Sequence, residues 1–152
     1  MRRGQIGLSD VAAVLAALAD PVRLRILRLV GQRELCVCEL VDALRIPQYR
    51  VSRHLTALRR LGLVAARREG RWMHYRRGPA LADGGLIAEV AGALKRHLSR
   101  LDGARGDEVR LERRLALRQS GRCVVGTPAV ARPIWRGPRR HGQAGGKEQR
   151  HG

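Results

Sequence analysis

Two thiols one residue apart, Cys36 and Cys38 in ELCVCEL, are the side chains of this chain best suited to chemistry. Thiolate is a soft ligand that selects thiophilic ions over magnesium or calcium. Trivalent arsenic or antimony takes a pyramidal set of two or three sulfurs, whereas zinc or cadmium wants a fourth ligand. Taken alone, the pair is a weak signal, because free cysteine also packs well as a small apolar group. A second group of side chains begins ten residues on. Gln48, Tyr49, Arg50, Ser52 and Arg53 follow a break at Arg45-Ile46-Pro47, and such side chains read base edges or grip phosphate when a helix presents them to a major groove. His54, between Arg53 and Leu55, reads as a structural or phosphate-contacting residue rather than a metal ligand. No nucleophile–base–orienter set and no phosphate loop is visible, so the chain does not read as an enzyme.

Charge agrees with a polyanionic partner. The 152 residues carry a formal charge of +18 and a pI near 11.7, and nucleic acid is the usual partner of such a chain. Lysine occurs only at Lys95 and Lys147, and an arginine bias of this kind also follows from a GC-rich genome. With no Phe and 3% aromatic residues, a base-stacking platform for single strands is disfavoured. No segment approaches a membrane span. The three cysteines, two of them too close for ordinary disulfide geometry, do not make a secreted framework. The expectation is a cytoplasmic protein with reduced thiols and no membrane partner.

The elements that would position these residues follow from periodicity. Leu8, Val11, Leu15 and Leu18 recur at helical spacing with Ser9 placed as a cap, and Asp20-Pro21 opens a second helix. Val22, Ile26, Leu27 and Val30 form its apolar stripe, and Arg23, Arg25 and Arg28 read as a solvated face. A third helix begins near Cys36 to Cys38 on Leu40, Val41 and Leu44. A fourth carries Val51, Leu55 and Leu58 opposite its polar side, with Gly62 as the left-handed residue after it. Two short helices joined by a tight turn are a helix-turn-helix. Segments 63–69 and 71–77 then alternate about Gly70 as a hairpin, or wing, with a basic tip at Arg67, Arg68 and Arg71 and with Trp72 and Tyr75 as packing residues. Leu86, Val90, Leu94 and Leu98, with Ile87 and Leu101 nearby, mark a fifth helix whose stripe calls for a second subunit. Val109, Leu111, Leu115 and Ala116 suggest a final helix. The fold class is therefore mainly α with a small β-hairpin, a winged helix-turn-helix that forms a homodimer. Its divisions are 8–105 for DNA binding and dimerisation, 106–125 for a last helix and a Cys-containing extension, and 126–152 for a disordered basic tail.

Four stretches, LADPVRLRIL, ELCVCEL, VSRHLTALRRLGLV and REGRWMHYR, together resemble the ArsR/SmtB winged-helix repressors over roughly residues 8 to 105, and ELCVCEL with VSRHL resembles the arsenic-responsive members. The resemblance implies a homodimer that represses resistance genes from a palindromic double-stranded operator and lets go when As(III) or Sb(III) binds, with no cofactor required. It matches Cys36 and Cys38 to the first two thiols of the arsenic box. The third thiol of the enterobacterial type would fall at Val41, so completion passes to Cys123, in GRCVVG, which is similar to a cysteine that some relatives carry after the last helix. Cys123 would then serve within one subunit or across the dimer. Zinc-type members place Asp and His ligands along the fifth helix, but Asp83 lacks a His two residues on and His97 stands alone. DNA contacts fall to Gln48, Tyr49, Arg50, Ser52, Arg53 and His54, with Arg68 and Arg71 on the wing.

Helical geometry adds a mechanism. Residues two apart in a helix point roughly 200° away from each other, so Cys36 and Cys38 could share an ion only if the first turn of the third helix failed to form. Two other functions stay open: a repressor answering to thiol oxidation, and a constitutive basic DNA-binding or packaging protein.

Overall fold

The computed structural model describes residues 6–82, 84–100 and 103–126. Asp83, Leu101 and the basic tail from 127 onward lie outside the described residues. In chain order the elements are α1 (Leu8–Leu18), α2 (Pro21–Val30), β1 (Leu35–Cys36), α3 (Val37–Leu44), α4 (Gln48–Arg60), β2 (Val64–Glu69), β3 (Trp72–Arg77), α5 (Leu86–Leu98) and α6 (Ala104–Leu115). No helix among the described residues is long and apolar enough to cross a membrane.

The helix-turn-helix forms for the reasons its sequence offers. The apolar stripe Val51, Leu55 and Leu58 of α4 is fully buried against the core, and truncating a leucine in such a place costs about 2–5 kcal/mol. Between the helices, Arg45 takes a left-handed conformation (φ 55°) and closes α3 with its N–H on the Val41 carbonyl at 2.9 Å. Ile46 is buried, and Pro47 caps α4.

The wing holds more than a hairpin. β2 and β3 pair antiparallel from Val64↔Arg77 to Glu69↔Trp72, with Gly70 at φ 57° opening the two-residue loop. A third strand, β1, lies on the far side of β3 with Leu35 opposite Tyr75 and Cys36 opposite His74. At the other end of the wing a Cβ on Gly78 would overlap the Gly62 carbonyl. Only glycine lets the exit of β3 cross the exit of α4 so closely, and this crossing fastens wing to helix.

Several expectations need correction. α1 buries Val14, Ala17 and Leu18 instead of a stripe through Leu8 and Leu15, which remain exposed, and its cap is Gly7 rather than Ser9. Asp10 sits at the third position and accepts the Gly7 N–H. In α2 the buried residues are Ile26, Arg28, Leu29 and Val30. Two of the three arginines read as solvated, Arg25 and Arg28, instead anchor α6. Arg25 forks onto Asp107 at 2.8 and 2.6 Å. Arg28, 7% exposed, reaches Glu108 at 3.1 Å and the Ala104 carbonyl at 2.6 Å. Leu111 of α6 is buried in the same core and Leu115 packs against it, as their spacing suggested, while Val109 is exposed.

Candidate functional site

Three segments bring the thiols together. Cys36 ends β1 and is the N-cap of α3, with extended backbone (φ −82°, ψ 160°). Cys38 is the second residue of the helix. Cys123 arrives from beyond α6, after Gln119 and Arg122 pair across a turn whose middle residues, Ser120 and Gly121, both have positive φ. The Cys123 sulfur lies 2.9 Å from that of Cys36 and 3.1 Å from that of Cys38, and the Cys36 and Cys38 sulfurs touch each other. All three residues are buried. Among the described residues this is the one cluster of three Cys, His, Asp or Glu side chains with metal-ligand spacing.

Two expectations fall with this geometry. The box thiols converge while the first turn of α3 is intact, because Cys36 stands in extended backbone outside the helix. The 200° separation applies only when both residues are helical. The Cα atoms of Cys36 and Cys38 are 5.5 Å apart, within the range a disulfide spans, so the pair is not too close to bond.

A buried carboxylate organises the cluster. Glu39, 1% exposed, accepts the Cys36 N–H at 2.8 Å, which is the reciprocal half of a capping box. The same carboxylate takes a fork from Arg118 at 2.7 and 2.8 Å, and Arg118 also donates to the Glu34 carbonyl at 2.9 Å. The Glu39 contact raises the Arg118 pKa above its usual range. Burial pushes the Cys123 thiol pKa up, Glu39 adds to this, and Arg114 and Arg118 oppose it. Arg114 holds Asp42 at 3.0 Å and the carbonyls of Val125 and Gly126. Trp72 packs against the sulfurs. Sequence reasoning missed Glu39 and Arg118. A signal for Glu39 existed, since a carboxylate three residues after the start of an apolar helix marks a cap; Arg118 had none.

The residues expected to contact DNA lie next door. Gln48, Tyr49, Arg50 and Arg53 are exposed on the first two turns of α4, and Ser52 is half-buried. His54 turns inward, its Nδ1 3.8 Å from Asp20 at the start of α2. On the wing Arg68 is exposed and donates to the Gly70 carbonyl at 3.0 Å. Arg71 stacks over Trp72 at 4.7 Å. Arg67, expected at the basic tip, is held instead by Glu34 and Glu69, and this contact lowers the Glu34 pKa. Cys38, Gln48, Arg71, Trp72 and Gly126 line a single open cleft of about 460 Å³, so the thiol cluster and two of the residues expected to contact DNA, Gln48 and Arg71, share a wall.

Known proteins place this arrangement. Residues 20–66 match the family described as bacterial regulatory protein, arsR family. The HTH-type transcriptional regulator MJ1325 of Methanocaldococcus jannaschii is 43% identical over 65 residues, 42% of this chain and 73% of that protein. The chain belongs to the arsR family. The arsenical resistance operon repressor of Escherichia coli is 49% identical over 63 residues, 41% of this chain and 54% of that protein, so the chain spans about half the length of this relative. Among solved structures, the homodimeric winged helix-turn-helix DNA-binding domain Mb0332 of Mycobacterium bovis superposes with a TM-score of 0.50 at 33% identity, covering 66% of this chain and 94% of that one. Relatives and fold alike are those of DNA-binding transcriptional regulators, not of enzymes.

Proposed function

We propose that this arsR-family regulator is a metalloid-responsive repressor that grips operator DNA as a homodimer and is released when As(III) or Sb(III) binds Cys36, Cys38 and Cys123. The observation that carries this reading is the convergence of three buried sulfurs from three separate segments. Three sulfurs with no fourth ligand beside them among the described residues suit a pyramidal trivalent ion better than a tetrahedral one. Arsenite would enter as As(OH)3. Three As–S bonds form, three As–O bonds break, and each departing hydroxide takes a thiol proton to leave as water.

Geometry also supports a route to release. Metal–sulfur bonds of about 2.3 Å at angles of roughly 100–110° hold sulfurs about 3.5–3.8 Å apart. Occupation would therefore fix the spacing of all three sulfurs, which already lie against one another. One of these sulfurs is on β1, which is paired to the wing strand at Cys36↔His74; another is on α3, the first helix of the DNA-binding pair. Tying them to one ion shifts the wing against the helix-turn-helix, and a protein that must seat both on one duplex loses affinity. Dimerisation fits the apolar residues left exposed at Leu8, Leu15 and Leu86.

The test is release from operator DNA. Arsenite should free the protein, and magnesium and calcium should not. A second reading, release by thiol oxidation, is favoured by the Cα spacing of Cys36 and Cys38. In that case two thiols and a peroxide would give a disulfide and two waters. Release by peroxide with no response to arsenite would select it.

A further inference from the structure

The third thiol owes its place to a side chain five residues before it. Among the described residues after α6 none belongs to a regular helix or longer strand, and an isolated bridge between Gln119 and Arg122 is their one β-pairing. Yet Cys123 is 6% exposed and touches both box sulfurs. The strongest contact between this segment and the box is the fork of Arg118 on Glu39, seconded by its bond to the Glu34 carbonyl. Because Glu39 also holds the Cys36 N–H, one carboxylate fixes the extended posture of Cys36 and the segment that delivers Cys123. Arginine suits this task, since its planar fork meets both carboxylate oxygens at once, which an ammonium cannot do.

We propose that Arg118 is a positioning residue of the thiol site: locked on Glu39, it holds the extension against α3 and turns a two-sulfur box into a three-sulfur site. This rests on the metalloid reading for its consequence, though not for the geometry. Arg114 holds the same extension farther on, at Val125 and Gly126, so loss of Arg118 frees the turn at 119–123 without detaching the chain beyond it. Residues that hold and orient metal ligands change metal affinity roughly 10–100-fold when removed.

Two variants of the full chain test the proposal. Arg118→Met removes the fork. Glu39→Gln with Arg118→Met removes the buried carboxylate charge as well, so that an unpaired charge does not unfold the protein, and the glutamine oxygen still accepts the Cys36 N–H. Alkylation of the metal-free protein, read thiol by thiol by mass spectrometry, should speed up at Cys123 by about tenfold or more and stay slow at Cys36. X-ray absorption of the arsenite-loaded double variant should show two sulfur neighbours against three in the wild type. The arsenite concentration for DNA release should rise about 10–100-fold, while DNA affinity without arsenite stays the same. A merely structural role would instead weaken DNA binding and expose all three thiols together. Unchanged Cys123 alkylation with three sulfurs retained in the double variant would overturn the proposal. If wild-type protein shows no arsenic–sulfur neighbours, the metalloid reading falls, and the alkylation comparison still decides whether Arg118 holds Cys123.

Discussion

Asp107→Ala should destabilise the protein clearly although it lies away from the thiols. Asp107 is fully buried and accepts 2.8 and 2.6 Å bonds from Arg25 and a 2.6 Å bond from Arg110, with Arg28 at 3.9 Å. Its removal leaves three guanidinium groups facing one another around a void. Breaking a buried ion pair from one side costs about 3–5 kcal/mol. Here the Arg25 and Arg110 side chains are 36% and 25% exposed and recover some hydration, so the expected loss is about 2–4 kcal/mol. Asp107→Asn keeps the shape and one acceptor and should lose less, about 1–2 kcal/mol. Urea unfolding at a fixed protomer concentration measures both, since the stability of the proposed dimer would depend on concentration. Set against a typical domain stability of roughly 5–15 kcal/mol, the alanine variant should remain folded with a clearly lower midpoint. An Asp107→Ala protein within about 0.5 kcal/mol of wild type would refute the idea that this cluster docks α6.

Leu15→Glu places a charge on an exposed apolar position of α1; sedimentation should show monomers, with weaker operator binding, and a variant that stays dimeric removes this face from the interface. Arg53→Ala should cost on the order of 1–3 kcal/mol and relax sequence preference, whereas Arg71→Ala should weaken all sequences alike and lower the salt slope by about 1. Identical behaviour of the two would favour a packaging protein. The Glu34 carboxylate, held by Arg67 below its usual value of 4.5, contributes stability above that pH that is lost as pH falls through the folded pKa. Glu34→Gln should therefore flatten the stability profile below about pH 4.5, as followed by urea midpoints.

The helix-turn-helix was legible because its signals are local. Val51, Leu55 and Leu58 announce their face by spacing alone, and Pro47 and Gly62 mark the ends of α4. Arg25 and Arg28 were misread because their partners, Asp107 and Glu108, lie some eighty residues away. Periodicity sees an arginine between apolar residues and assigns it to water; a distant counter-ion leaves no trace in the window. β1 is two residues long and exists through its pairing with β3, so it too escapes a local reading. The thiol mechanism failed for a narrower reason. Cys36 and Cys38 were both treated as helical, and one extended residue at the cap reverses the direction of its side chain. The cysteine beyond α6 could be named from resemblance, but its arrival beside the box depends on α6 docking and on Arg118, neither of which spacing reveals.

On the proposed reading the box thiols sense the ligand and do not themselves bind DNA. Fluorescence anisotropy of labelled operator DNA, titrated with arsenite, tests it most directly with wild type, Cys36→Ser, Cys38→Ser and the double variant. Moving a population from 99% bound to 99% free requires roughly 5.5 kcal/mol of preference for the released form, more than a site missing one box sulfur should supply. Both single variants should bind DNA as tightly as wild type and remain bound when arsenite is added. A double variant lacking Cys36 and Cys38 that is still fully released by arsenite would contradict the claim.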